Sequence, residues 1–260
     1  MWDPVEVKHN NNEKNRITIH DIVHGKYPVL LFRNFYDRDF CRTIAERITN
    51  FSSLDYGSTV IKQLGIFLMA YVNKKDDYFR DATSVEKSFR MLFENVEDPR
   101  KRIHEMITNL MGAHKVSVAE DNGRNYSAGV VRIHETGDFA PLHRDNVMID
   151  ACGFSVALLQ HQLSLVLYIQ QSECGGELVL YDRMWKLPDE RFREIGFGYS
   201  KQLIHDNTNR VVIKAGVGDL IIINPRYFHE ILKVNGKTSR ITFGMFMAFN
   251  DNESSVVTWS

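Results

Sequence analysis

Apolar residues recur at two different periods along the chain, and the change falls near residue 126. Before it the period is helical. Asp37 is placed as an N-cap, and Phe40, Ile44, Ala45 and Ile48 fall on one face of the helix that follows. Thr83 and Glu86 have the spacing of a capping box, with Val85, Phe89, Leu92 and Phe93 behind them on one stripe. Asp98 and Pro99 combine a cap with a proline at the first helical position. Ile103, Met106, Ile107, Leu110 and Met111 form that helix's stripe, and Gly112 stands where it should stop. Residues 1–26 are polar, with a short strand expected at Arg16–Ile22; Tyr27–Arg33 reads as another.

After residue 126 short apolar runs alternate with glycine and polar turns. The pattern predicts strands at Ala128–His134, Leu142–Val147, Leu163–Gln170, Glu177–Tyr181, Arg210–Lys214, Asp219–Ile223 and Ser239–Phe249. Helices followed by many short strands imply a mostly β fold with N-terminal helices, a sandwich or barrel buttressed by α-helices. The expected division is an N-terminal helical support region with short strands, 1–125, and a β core, 126–260, in one integrated domain. Asp182 to Asn209 is the longest interruption, and an insertion of that length in a compact β domain is usually functional or mobile.

Composition narrows the class. The chain has 260 residues, 43% hydrophobic and 25% charged, which excludes a disordered or fibrous protein. Formal net charge is −1, so no basic surplus exists to neutralise phosphates, and no nucleic-acid partner is expected. The longest apolar runs, Gly65–Val72 and Leu163–Ile169, fall far below the roughly 20 residues of a membrane span. The N-terminus lacks the charged-then-apolar pattern of a signal peptide. Cys41, Cys152 and Cys174 show no zinc-like spacing and no disulfide framework, which suits a cytoplasmic setting and small buried residues. Arg100, Lys101 and Arg102 read as a solvated helix face, and Gly175 and Gly176 as a turn. Oligomeric state leaves no mark in the sequence.

Ten histidines are present, and only His143 has a carboxylate, Asp145, two residues on. With 33 acidic residues, one such spacing is expected by chance, so context must decide. On a strand, residues i and i+2 point to one face, and imidazole and carboxylate then converge. His229 follows an apolar strand that ends in Asn224-Pro225, at the turn. Two histidines and one carboxylate with the other positions open form the ligand set of non-haem Fe(II) oxygenases. Arg240 lies eleven residues after His229 on a strand of apolar and small residues. An arginine facing a barrel interior needs a partner, best a bidentate carboxylate. Thr242 shares its face.

These stretches resemble the Fe(II)- and 2-oxoglutarate-dependent oxygenase superfamily. Four carry the likeness in the family's order: Ile133 to Gly137, where relatives often have a tyrosine in place of His134; Pro141 to Asn146, similar to the HxD motif; Gly175 to Tyr181, similar to the glycine-glycine-glutamate strand; and Gly216 to Phe246, similar to the distal histidine and co-substrate arginine. The likeness covers roughly residues 126–250. It implies a double-stranded β-helix (jelly-roll) core with Fe(II) at His143, Asp145 and His229. It further implies 2-oxoglutarate chelating the metal, its far carboxylate on Arg240 with Thr242 and His134 as further contacts, and dioxygen as oxidant. The spacing is similar to that of hydroxylases of free or N-substituted amino acids and of related natural-product halogenases. Those halogenases carry glycine or alanine where Asp145 stands, so the implied activity is C–H hydroxylation of a small organic molecule. The alternatives are desaturation or cyclisation by the same iron chemistry, or a cupin-like metalloenzyme without 2-oxoglutarate. Asn146, Phe139 and a lid formed by 182–209 are the expected substrate contacts.

Overall fold

The computed structural model describes residues 2–7, 18–51, 61–251 and 254–260. Two β-sheets face each other, and helices cover the outer side of the larger one. In the nine-stranded sheet, Val5–Glu6, Val29–Phe32, Leu220–Ile223, His161–Gln170 and Arg240–Phe249 lie side by side in that order. The free edge of Arg240–Phe249 is then shared. Its first half pairs with Val130–His134, which leads on to Lys62–Leu64; its second half pairs with Ser255–Trp259, which leads on to Lys115–Val118. The smaller sheet runs Arg210–Ile213, Leu178–Met184, Tyr227–Ile231, Ala140–His143. This is the helix-buttressed jelly roll expected from the sequence.

Strand parity builds the layers. Leu163, Leu165, Leu167 and Ile169 turn to the helices, and Val166 and Tyr168 turn to the smaller sheet. Leu220 and Ile222 pack with the first group, Ile221 and Ile223 with the second. Both faces of these central strands are buried, which is why Leu220–Ile223 is apolar at every position. On Arg240–Phe249 the odd residues meet the helices: Phe89 and Phe93 stand edge-on to Phe243, with ring centroids 5.9 and 6.3 Å away. Arg240 and Thr242, of the opposite parity, are left to line the interior between the sheets, whereas Phe246 and Ala248 further along the strand join the helix-side cluster.

Two helices start where the sequence places them, and the second also stops there. Asp37 accepts from the Phe40 N–H at the head of Arg38–Thr49. Asp98 caps Pro99–Met111, and Gly112 ends it in the left-handed region at φ +64°. The Thr83–Glu86 pair is not a helix start: the helix is Lys75–Leu92, and the Thr83 hydroxyl bonds back to the Phe79 carbonyl. Tyr78, Phe79 and Ala82 extend the same buried stripe one turn and more toward the N-terminus. The strand expected at Arg16–Ile22 is not seen. Residues 16 and 17 lie outside the described residues, and Ile19–Val23 is a helix capped by reciprocal contacts of Thr18 and Asp21. Arg100 and Arg102 are tied down, Arg100 to Glu86 and Asp98 and Arg102 to Glu97. All three cysteines are free; Cys41 is buried as expected, whereas Cys152 and Cys174 are exposed.

Candidate active site

The smaller sheet brings the two histidines together. His229 lies directly opposite His143 in antiparallel register, and their ring centroids are 4.1 Å apart. His229 is therefore inside the Tyr227–Ile231 strand and not at a turn before it. The strand expected at Leu142–Val147 is Ala140–His143, and Val147–Asp150 is a short helix. Asp145 thus reaches the histidines from a loop, not from the pleat. The loop is fixed by the Asp145 N–H, which donates to the Pro225 carbonyl at 2.9 Å. Asp145 Oδ2 lies 3.6 Å from His229 Nε2, and one potential ligand atom from each of the three residues falls within 4.8 Å of the others.

Each ring is aimed by its own strand. Nδ1 of His143 lies 2.7 Å from the Pro141 carbonyl, and Nδ1 of His229 lies 2.9 Å from the Tyr227 carbonyl. With the proton committed there, both Nε2 lone pairs are free to point into the site. Burial, and then the neighbouring His229, push the His143 pKa down to about 4, so the ring is neutral. Burial alone would raise the Asp145 carboxyl. Contact with His229 and the nearby Arg132 charge outweigh it and hold the group below the usual carboxylate range. Two imidazole nitrogens and one carboxylate are the donors a ferrous ion takes.

A second set of groups lies on the facing sheet. Arg240 is 2% exposed and sits opposite His134. Thr242 is buried on the same strand face, two residues on. The Arg240 guanidinium stands 5.1 Å from the Tyr168 ring centroid. Among the described residues, Arg240 has no carboxylate partner. Its Nε, the Tyr168 hydroxyl and both ring nitrogens of His134 are buried without hydrogen bonds. So many unpaired polar atoms in one place fit an acidic ligand bound there. Burial, with Arg240 and Arg132 close by, pushes the His134 pKa down to about 3. Gly176 makes room: at φ +74°, an added Cβ would come 3.0 Å from Arg240 Cδ.

Three more residues belong to the site and were not singled out by sequence. Arg132 shares the strand face of His134, across from Thr242, with its guanidinium 4.7 Å from the Phe67 ring centroid. Burying an unpaired cation costs several kcal/mol, and a cation–π contact returns only ~0.5–2 kcal/mol. Arg144, between two of the converging residues, turns away from them. Its guanidinium pairs with Asp150 and Glu190 and lies over the Trp185 ring. Phe197 stands edge-on to His143 at 5.4 Å while 54% exposed. Trp185, Glu190 and Phe197 all come from the 182–209 insertion, which therefore lies directly beside the site. Parity from His134 would have found Arg132; nothing local marks the other two. Of the expected substrate contacts, Asn146 is buried with Oδ1 unpaired, and Phe139 is 56% exposed.

Comparison with known proteins adds the family. The family model described as carrier-protein-independent halogenase WelO5 matches residues 2–260. Leucinostatins biosynthesis cluster protein S of Purpureocillium lilacinum is 29% identical over 207 residues, 75% of this chain and 83% of that protein. Among solved structures, an N-substituted L-amino acid dioxygenase from Burkholderia ambifaria AMMD, in complex with alpha-KG, superposes with a TM-score of 0.60. It is 17% identical, over 93% of this chain and 90% of that one. The alpha ketoglutarate dependent carbocyclase SnoK from nogalamycin biosynthesis gives 0.52 at 10% identity, over 90% and 84%. At such identities these two structures establish the shared fold.

Proposed function

The chain belongs to the family of the carrier-protein-independent halogenase WelO5, among the Fe(II)- and 2-oxoglutarate-dependent oxygenases, and we propose on that footing that it hydroxylates a small organic molecule. Fe(II) is held by His143, Asp145 and His229. The far carboxylate of 2-oxoglutarate pairs with Arg240, with the Thr242 hydroxyl and the neutral His134 ring as further contacts. When bound, the iron and 2-oxoglutarate supply an oxidant made from dioxygen, with succinate and carbon dioxide as by-products.

The chain's own part is positioning. The carbonyls of Pro141 and Tyr227 orient the two imidazoles. Arg240 aligns the co-substrate from the opposite sheet, and Phe197 and the insertion restrict water beside His143. Asn146 and Phe139 flank the position where a small substrate binds. Three unpaired cysteines suit a cytoplasmic protein.

Asp145 is the observation that carries hydroxylation over halogenation. Its carboxylate stands with the two histidines, where the related halogenases have glycine or alanine and so leave a place for chloride. The test is a substrate screen by mass spectrometry, with labelled dioxygen and excess bromide present. Hydroxylation incorporates one labelled oxygen atom per succinate-coupled product. A brominated product from the Asp145 enzyme would refute the reading.

A further inference from the structure

The iron and co-substrate positions leave one interior cation without a role. Arg132 faces the space between the sheets, on the same side as His134, Arg240 and Thr242. Its Nη1 lies 3.6 Å from where a Cβ of Gly244 would stand, an ordinary van der Waals distance, so the guanidinium passes over that glycine. Phe67 covers one face of the guanidinium, and Phe246 packs on Phe67 with ring centroids 5.9 Å apart. Among the described residues, no carboxylate and no hydrogen-bond acceptor meets this guanidinium. Nor is it sealed off: Arg132 keeps partial exposure, unlike Arg240. It is a charged fork beside an apolar wall, on a side chain that is only half-buried.

Charge balance says what is missing. Arg132, Arg240 and Fe(II) bring four positive charges. Asp145 and the dianion of 2-oxoglutarate bring three negative ones. Arg240 has the far carboxylate, and Asp145 is taken by the metal, so the surplus charge sits on Arg132. We propose that Arg132 binds the carboxylate of the substrate, and that the enzyme acts on carboxylic acids with an apolar body. This rests on the iron and 2-oxoglutarate reading of the same site. The planar fork of arginine matches a carboxylate in two parallel hydrogen bonds, and the Phe67–Phe246 wall takes the hydrocarbon part.

The test uses enzyme that cannot turn over, loaded with Mn(II) and N-oxalylglycine. Butyrate and its neutral isostere butyramide are titrated by calorimetry at constant ionic strength into wild type, Arg132→Met and Arg132→Lys. Butyrate binds the wild type saturably and more tightly than butyramide. Arg132→Met weakens butyrate about 10- to 100-fold, the range for hydrogen bonds to a charged group, and Arg132→Lys keeps part of the affinity. N-oxalylglycine binding holds in both variants. Equal affinity for butyrate and butyramide in the wild type overturns the proposal, and that comparison stands even where a variant does not fold. So does a loss of N-oxalylglycine affinity in Arg132→Met as deep as in Arg240→Met, which would give Arg132 to the co-substrate and leave the iron reading intact. Failure of the wild type to bind N-oxalylglycine with Mn(II) removes both readings together.

Discussion

Replacing Arg144 with methionine keeps most of the side-chain volume and removes the charge that fastens the metal-ligand loop to the insertion. The Arg144 side chain is 1% exposed, and its guanidinium contacts Asp150, Glu190 and the Trp185 ring. Breaking a buried ion pair by deleting one partner costs ~3–5 kcal/mol. Here the acids are 20% and 36% exposed, so water can take over part of their solvation. Loss of the stacking contact on Trp185 adds ~0.5–2 kcal/mol. Together these give a destabilisation of about 2–4 kcal/mol, against a total of ~5–15 kcal/mol for a folded domain. The protein stays folded but loosens locally. Urea denaturation measures the total, and hydrogen exchange locates it. Protection should fall most at 144–150 and 185–199, with the central strand His161–Gln170 changed least. A shift below ~0.5 kcal/mol, or an equal loss of protection everywhere, would refute the clamp.

Other variants test the facing sheet. Arg240→Met should raise the dissociation constant of 2-oxoglutarate about 10- to 100-fold by calorimetry; an unchanged constant means the co-substrate pairs elsewhere. Gly176→Ala must place a Cβ at φ +74° and against Arg240 Cδ. It should cost ~1–2 kcal/mol in urea denaturation for the left-handed backbone alone, and also weaken 2-oxoglutarate; wild-type stability would contradict the geometry. His134 binds its proton at about 3 when folded and at 6.5 when free. The unfolded chain therefore takes up a proton that the buried ring refuses, and stability falls as pH drops from 6.5 toward 3. His134→Gln should flatten that slope in the metal-free protein, leaving the parts due to His143, whose folded value is about 4, and to His104, which burial also lowers. An identical slope in the variant would show that His134 is not the group being measured.

The caps at Asp37, Asp98 and Gly112 were legible because a helix end is decided by a few adjacent residues. Thr83 and Glu86 misled because the same pair is equally at home inside a helix, where Thr83 bonds back to Phe79. The Asp145 loop was hidden for a different reason. The chain leaves the strand at His143 and is held by Pro225, a contact eighty residues away that no local pattern records. Convergence of Asp145 with His143 was thus expected from strand pleat and is achieved by a long-range hydrogen bond, while sheet register brings His229 opposite His143. Arg240, Thr242 and His134 share a face, as parity implies. That the Arg132 guanidinium and the Tyr168 hydroxyl have no hydrogen-bond partner among the described residues is a property of the packed interior alone. The insertion could be seen as long, but the contacts of Arg144 with Glu190 and Trp185 and the Phe197 ring, which tie it to the site, appear in the packed structure alone.

Anaerobic titration of the purified chain with Fe(II) and 2-oxoglutarate tests the central claim most directly. A weak visible charge-transfer band should appear, saturate at one iron per chain, and be lost in His143→Ala and His229→Ala. No band from folded wild-type protein, or an undiminished band in those variants, would contradict iron held between the facing histidines and Asp145.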